Sequence, residues 1–127
     1  MSAGIILFAH GSRVEAANAA VRAAARELAR AGSFEHVEPA FLELGQPDLA
    51  GAADRLAKRG IHRIVVVPYF LTLGTHMERD LPVLVANIAK LHNNLDISVT
   101  PPLDGHPALI QALLDRHRAV REVKGDG

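Results

Sequence analysis

Seven histidines, at positions 10, 36, 62, 76, 92, 106 and 117, stand in a chain of 127 residues that has no cysteine. Without thiols there is no disulfide, thiolate zinc site, iron–sulfur ligation or cysteine nucleophile. Imidazole, carboxylate, hydroxyl and guanidinium groups must carry any chemistry. His10 follows a short apolar run and is itself followed by Gly11 and Ser12, so its ring is expected at the end of a strand beside a turn that exposes backbone N–H groups, which favour an anion. His76 falls in the Gly-containing segment Leu71-Thr72-Leu73-Gly74-Thr75-His76-Met77, and Glu43 lies near the end of another apolar run. Taken alone, Glu43 reads as a solvated strand-end acid and His10 as a histidine bonding its own loop. Taken together, two imidazoles and a carboxylate suit a borderline divalent metal such as Co, Fe, Ni or Zn. Arg13 and Arg79 flank the two histidines and can meet ligand carboxylates as planar forks. The apolar residues Leu44, Leu71, Leu73 and Met77 would give the site a rim suited to a flat hydrophobic ligand, while Phe70 reads rather as a cap on the core. The other five histidines read as structural or solvated.

The elements that must position these groups follow from hydrophobic period and punctuation. Gly4 to Ala9 is a buried strand, and Val14 to Ala31, ending at Gly32, is a helix. His36 to Leu44 is a strand, Pro47 to Arg59 a helix, and Arg63 to Phe70 a strand whose Ile64-Val65-Val66-Val67 core suits a sheet covered on both faces. A loop over 71–75 then leads to a helix capped by Asp80, with Pro82 in its first turn, running to about His92. Asp96 to Thr100 is a weaker strand, and Pro107 opens a helix to about Val123, leaving 124–127 as a frayed tail. Four alternations of strand and helix predict an α/β fold of three layers, α/β/α, around a four-stranded parallel sheet, formed by a single domain over 1–127. Ligands of such sheets bind beyond the carboxyl ends of the strands. That rule selects the loops holding His10, Glu43 and His76.

Composition narrows the function further. Fourteen Lys and Arg balance fourteen Asp and Glu, so the chain lacks the basic footprint of a nucleic-acid binder. No stretch approaches the ~20 apolar residues of a membrane span, and the N-terminus lacks the basic region of a signal peptide. A cytoplasmic protein with no membrane partner is expected. The chain has neither GxxxxGK[ST] nor GxGxxG, which disfavours a nucleotide site. Ser12 lacks the GxSxG elbow of a hydrolase. Phosphohistidine chemistry of the Arg-His-Gly kind would place an arginine before the histidine, whereas Arg13 follows His10.

Three segments, Leu7-Phe8-Ala9-His10-Gly11-Ser12-Arg13, Ala40-Phe41-Leu42-Glu43 and the run from Val67 to Pro82 (VPYFLTLGTHMERDLP), together resemble the class II tetrapyrrole chelatases. The similarity is greatest to the sirohydrochlorin chelatases of the short cobaltochelatase or ferrochelatase type (CbiX/SirB-like). It extends from about Ile5 to Leu114, and the third segment is the most specific. The resemblance implies a chelatase-like half-domain that inserts Co²⁺, Fe²⁺ or Ni²⁺ into sirohydrochlorin, on the route to cobalamin or siroheme. The metal is then a substrate, and no organic cofactor is needed. It also implies that His10, His76 and Glu43 surround the metal, that Ser12, Arg13, Leu44, Leu71, Leu73, Met77 and Arg79 bind the tetrapyrrole, and that a chain of this length pairs with itself as a homodimer. A non-catalytic carrier of metal or tetrapyrrole is the alternative, and multiple turnover separates the two.

Overall fold

The computed structural model describes residues 3–93 and 95–124, the last four by backbone alone. Strands β1 (Ala3–Ala9), β2 (Val37–Phe41), β3 (Arg63–Pro68) and β4 (Asp96–Val99) alternate with helices α1 (Glu15–Gly32), α2 (Leu49–Lys58), α3 (Gly74–Leu91) and α4 (Pro107–Lys124). All pairings are parallel, in the order β2-β1-β3-β4. Successive side chains of a strand point to opposite faces. One face presents Ile6, Phe8, Ala40, Ile64 and Val66 to a core completed by Leu56 of α2 and by Leu81, Val85 and Ile88 of α3. The opposite face carries Leu7, Ala9 and Phe41 under α1, where the Arg22 guanidinium lies 5.5 Å from the centre of the Phe41 ring. This is the expected α/β arrangement with helices on both faces. At the amino end of β2, Glu38 is 9% exposed and is held by Arg55 at 3.3 Å and Arg59 at 2.8 Å, which ties α2 to the strand.

Several boundaries differ from the sequence expectation. The second strand stops at Phe41, followed by bends in which Leu44 adopts a left-handed φ of 58°, so the extended run does not reach Leu44. Its following helix begins at Leu49 instead of Pro47, with the Asp48 carboxylate accepting from Gly51 N at 2.8 Å. The third strand ends at Pro68, and one further rung is made by Tyr69 N donating to Phe8 O at 2.6 Å. Helix α1 includes Gly32 and is closed by Ser33 in the left-handed conformation. The largest correction concerns α3, which starts at Gly74, so Asp80 does not cap it, Pro82 lies in its interior and His76 sits in its first turn. Met77, Leu81, Val85 and Ile88, spaced by four, four and three, form one stripe against the core. That packing outweighs the loss of one backbone donor at Pro82. Helix α4 extends through Lys124, and residues 125–127 of the expected tail lie outside the described residues. Among the described residues no helix is long and apolar enough to cross a membrane.

Candidate functional site

In the order β2-β1-β3-β4 the connections leave β1 and β3 in opposite directions, so the sheet's switch point lies between their carboxyl ends. His10 stands there, directly after β1. Its backbone carbonyl accepts from Glu43 N at 3.1 Å, one rung beyond Leu42 N donating to Ala9 O at 2.8 Å. The β1–β2 pairing thus continues past the last residue of β2 and carries Glu43 alongside His10. Gly11 makes this approach possible. Its φ is +90°, and a Cβ there would stand 1.7 Å from the Glu43 carbonyl oxygen, so any other residue would force the two loops apart.

Asn18, 3% exposed on the buried side of α1, fastens the same corner. Its Oδ1 accepts from Ser12 N at 2.9 Å, and its Nδ2 donates to Ser12 O at 2.9 Å and to Leu44 O at 2.8 Å. One amide therefore satisfies backbone groups of both loops and holds Leu44 in its left-handed conformation. Ser12 adds a local turn by accepting from Val14 N at 3.0 Å through its Oγ. The sequence reading did not single out Asn18. Its signal was an amide seven residues, about two helical turns, before the buried Ala25 of an alanine-rich helix.

From the other side of the switch point, the Phe70 ring lies 4.6 Å from the His10 ring, centre to centre, with the planes tilted by 41°. Phe70 in turn meets Phe8 edge-on at 6.1 Å. The His10 imidazole is therefore supported on an aromatic shelf rooted in the core, while the residue itself is exposed. His76 is held differently. It is exposed in the first turn of α3, and its Nδ1 lies 3.1 Å from Nη2 of Arg79, which also reaches Asp80 Oδ1 at 3.3 Å through Nε. A guanidinium only donates, so the Nδ1 lone pair is occupied by Arg79.

The expected site residues divide into groups. His10, Glu43, Ser12 and Leu44 are brought together by backbone and by Asn18. Leu44 and Leu71 are exposed by 50% and 59% and supply the apolar rim, whereas Leu73 and Met77 pack partly against the core and contribute less to it than the sequence suggested. Arg13 is exposed and, among the described residues, pairs with no carboxylate. Among the described residues no three His, Asp or Glu side chains form a group ready to hold a metal ion. A fourth loop, which sequence reasoning missed, joins the edge: Leu103 N donates to Phe70 O at 3.2 Å and Asp104 N to Leu71 O at 2.9 Å.

The family described as CbiX matches residues 4–120. The chain is 33% identical over 124 residues to the chloroplastic sirohydrochlorin ferrochelatase of Arabidopsis thaliana, a match covering 97% of this chain and 55% of that protein. It is 30% identical over 122 residues to the sirohydrochlorin cobaltochelatase of Sulfolobus acidocaldarius, covering 96% and 95%. The crystal structure of the sirohydrochlorin chelatase SirB from Bacillus subtilis subspecies spizizenii in complex with cobalt superposes with a TM-score of 0.81 at 30% identity, covering 94% of this chain and 51% of that one. The chain thus spans about half the length of the plant and Bacillus proteins and nearly all of the archaeal one.

Proposed function

We infer, because the chain belongs to the CbiX family, that it inserts a divalent metal ion, Co²⁺ or Fe²⁺, into sirohydrochlorin. The relatives' names supply the substrate and the metals. The observation that carries the reading is an exposed imidazole, His10, locked beside Glu43 at the switch point by the 3.1 Å backbone bond and the close approach at Gly11. Nickel is a third metal the same donors accept.

Insertion exchanges two pyrrole N–H protons for one M²⁺ and strips water from the metal as it enters the ring. An open site must do both. His10 and His76, as neutral imidazoles, replace water on the metal, and the Glu43 carboxylate offsets its charge and relays the two displaced protons one at a time to bulk water. A closed four-ligand shell would retain the metal, so transfer needs an open one. Arg13, Arg79 and the N–H groups of the turn at Ser12 meet the carboxylates of the tetrapyrrole. Leu44 and Leu71 lie against its face, backed by Leu73 and Met77. Arg79 links the two substrates: while it donates to His76 Nδ1, that nitrogen cannot bind metal. A tetrapyrrole carboxylate that draws Arg79 away frees it.

The working unit is a homodimer in the cytoplasm. Exposed Leu44 and Leu71 on the rim favour a second surface over the site. An assay following sirohydrochlorin absorption with Co²⁺, Fe²⁺ and Ni²⁺ tests the activity. Many equivalents of metallated product per chain are expected, and one equivalent followed by arrest would make the protein a carrier. Sedimentation at micromolar concentration tests the dimer, and a fully active monomer would overturn it.

A further inference from the structure

Among the described residues only two polar or charged side chains are buried, Glu38 and Asn18. Glu38 sits at the end of the sheet away from the switch point, where Arg55 and Arg59 of the α2 segment hold it and join helix to strand. Asn18 joins no helix to a strand. All three of its hydrogen bonds go to backbone groups of the two loops beyond the carboxyl edge, Ser12 N, Ser12 O and Leu44 O. It does not cap its own helix either, whose N-cap residue is Val14. A buried polar group in the first turn of α1 thus serves only the corner that holds His10 and Glu43.

The three partners require an amide. The Ser12 N–H needs an acceptor and the two carbonyls need donors, which fixes which side-chain atom is oxygen and which is nitrogen. A carboxylate of the same shape would turn a second oxygen toward Ser12 O and Leu44 O, and a hydroxyl has one proton for two carbonyls. The attachments lie beside the two candidate ligands, since Ser12 is two residues after His10 and Leu44 one residue after Glu43. The bond from Glu43 N to His10 O sets the distance between the loops at 3.1 Å, but one bond leaves them free to turn about it. Asn18 supplies the second attachment, on the far side of Glu43. Glu43 is therefore clamped through its own N–H and through the carbonyl of the next residue. Leu44 registers the constraint. Its φ of 58° is one that a branched side chain adopts with strain, and such strain persists where the surroundings over-determine it, above all at functional sites.

We propose that Asn18 is a positioning residue for metal insertion: its amide sets the direction in which the Glu43 carboxylate faces His10. The proposal rests on the chelatase reading above and adds the group that orients the carboxylate. Buried beneath the two loops, Asn18 reaches neither substrate and acts through the backbone of Glu43 and Leu44. Without it Leu44 relaxes toward an ordinary φ, the peptide between Glu43 and Leu44 turns, and the carboxylate leaves the metal held by His10. Proton relay then slows, while the arginines and apolar rim that take the tetrapyrrole stay in place.

The test compares steady-state insertion of Co²⁺ into sirohydrochlorin by the parent, Asn18→Ala, Glu43→Gln and their double variant, with Glu38→Ala as a control for stability alone. Asn18→Ala is expected to lower kcat by roughly tenfold, less than the ~100-fold that a misplacement of about 1 Å can cost, while KM for sirohydrochlorin changes little. In the Glu43→Gln protein the same substitution should cost no more than about twofold, the margin within which independent sites add, because a charge already removed cannot be misplaced. Asn18→Asp fills the same space and keeps the acceptor for Ser12 N but loses both donors, so it is expected to be as slow as Asn18→Ala. Asn18→Ser, which keeps one donor, carries the same comparison should Asn18→Ala not fold. Glu38→Ala removes the other buried polar side chain and is expected to lower the melting temperature with kcat unchanged. An Asn18→Ala or Asn18→Asp protein as fast as the parent overturns the proposal. So does a loss that persists in full in the Glu43→Gln background, or an equal loss of kcat in Glu38→Ala. A parent that completes no more than one turnover overturns the chelatase reading and the positioning role together.

Discussion

The two corners of the site are built on opposite plans. Around His10 almost everything is backbone: Glu43 N reaches His10 O, Gly11 closes on the Glu43 carbonyl, and Asn18 bonds Ser12 and Leu44 from beneath. Around His76 the contacts are between exposed side chains, with Arg79 shared between the imidazole and Asp80. Backbone contacts and a buried amide fix a position at little entropic cost when the ligand arrives. Long exposed side chains rearrange readily, and an exposed pair of this kind is worth about 1 kcal/mol or less. Under the proposed function the difference would assign tasks: the His10 corner would be the fixed reference for the metal, and the His76 corner would release its nitrogen when the tetrapyrrole is in place.

Removing an imidazole breaks its own corner at the centre. His10→Ala and His76→Ala are each expected to slow metal insertion by roughly a hundredfold or more, in line with the ~10² to 10⁴ of a positioned acid–base group. Tetrapyrrole binding, measured by fluorescence quenching, should weaken far less. Gly11→Ala attacks only the fixed corner. The added Cβ displaces the Glu43 loop, and a shift on the order of 1 Å in a catalytic group can cost about a hundredfold in rate, so a large loss of kcat is expected together with a lower melting temperature. Equal activity and stability would show that the close approach does not position the site.

Milder changes sharpen the contrast. Glu43→Gln keeps shape and one oxygen ligand but loses the charge, and it should cost less than either histidine substitution. A loss as great as that of His10→Ala would make the carboxylate the principal proton acceptor. Arg79→Ala acts on the movable corner alone. With Nδ1 of His76 no longer occupied, Co²⁺ should bind the tetrapyrrole-free protein a few-fold more tightly by calorimetry, on the scale of ~1 kcal/mol or less for an exposed contact, while KM for sirohydrochlorin rises. Unchanged metal affinity would remove the link between Arg79 and the metal.

Much of the fixed corner was legible in the sequence, because it follows from the fold. Apolar runs at 4–9 and 63–70 read as buried parallel strands, and the carboxyl-edge rule then placed His10 and Glu43 in adjacent loops. The movable corner was less legible. Pro82 suggested a helix start near Asp80, whereas the stripe of Met77, Leu81, Val85 and Ile88 already required helix from further back and carried His76 into a first turn. Asn18 escaped notice because an amide in an alanine-rich helix looks like any solvated polar residue until the two loops it joins are known to be neighbours.

The two-corner account is tested most directly by steady-state insertion of Co²⁺ into sirohydrochlorin by the parent, His10→Ala, His76→Ala and the double variant, each confirmed as folded. Residues that act on one metal in one transition state fail as a unit, so the double variant should be about as slow as the slower single one. A His76→Ala protein as active as the parent, or losses that multiply in the double variant, would contradict it.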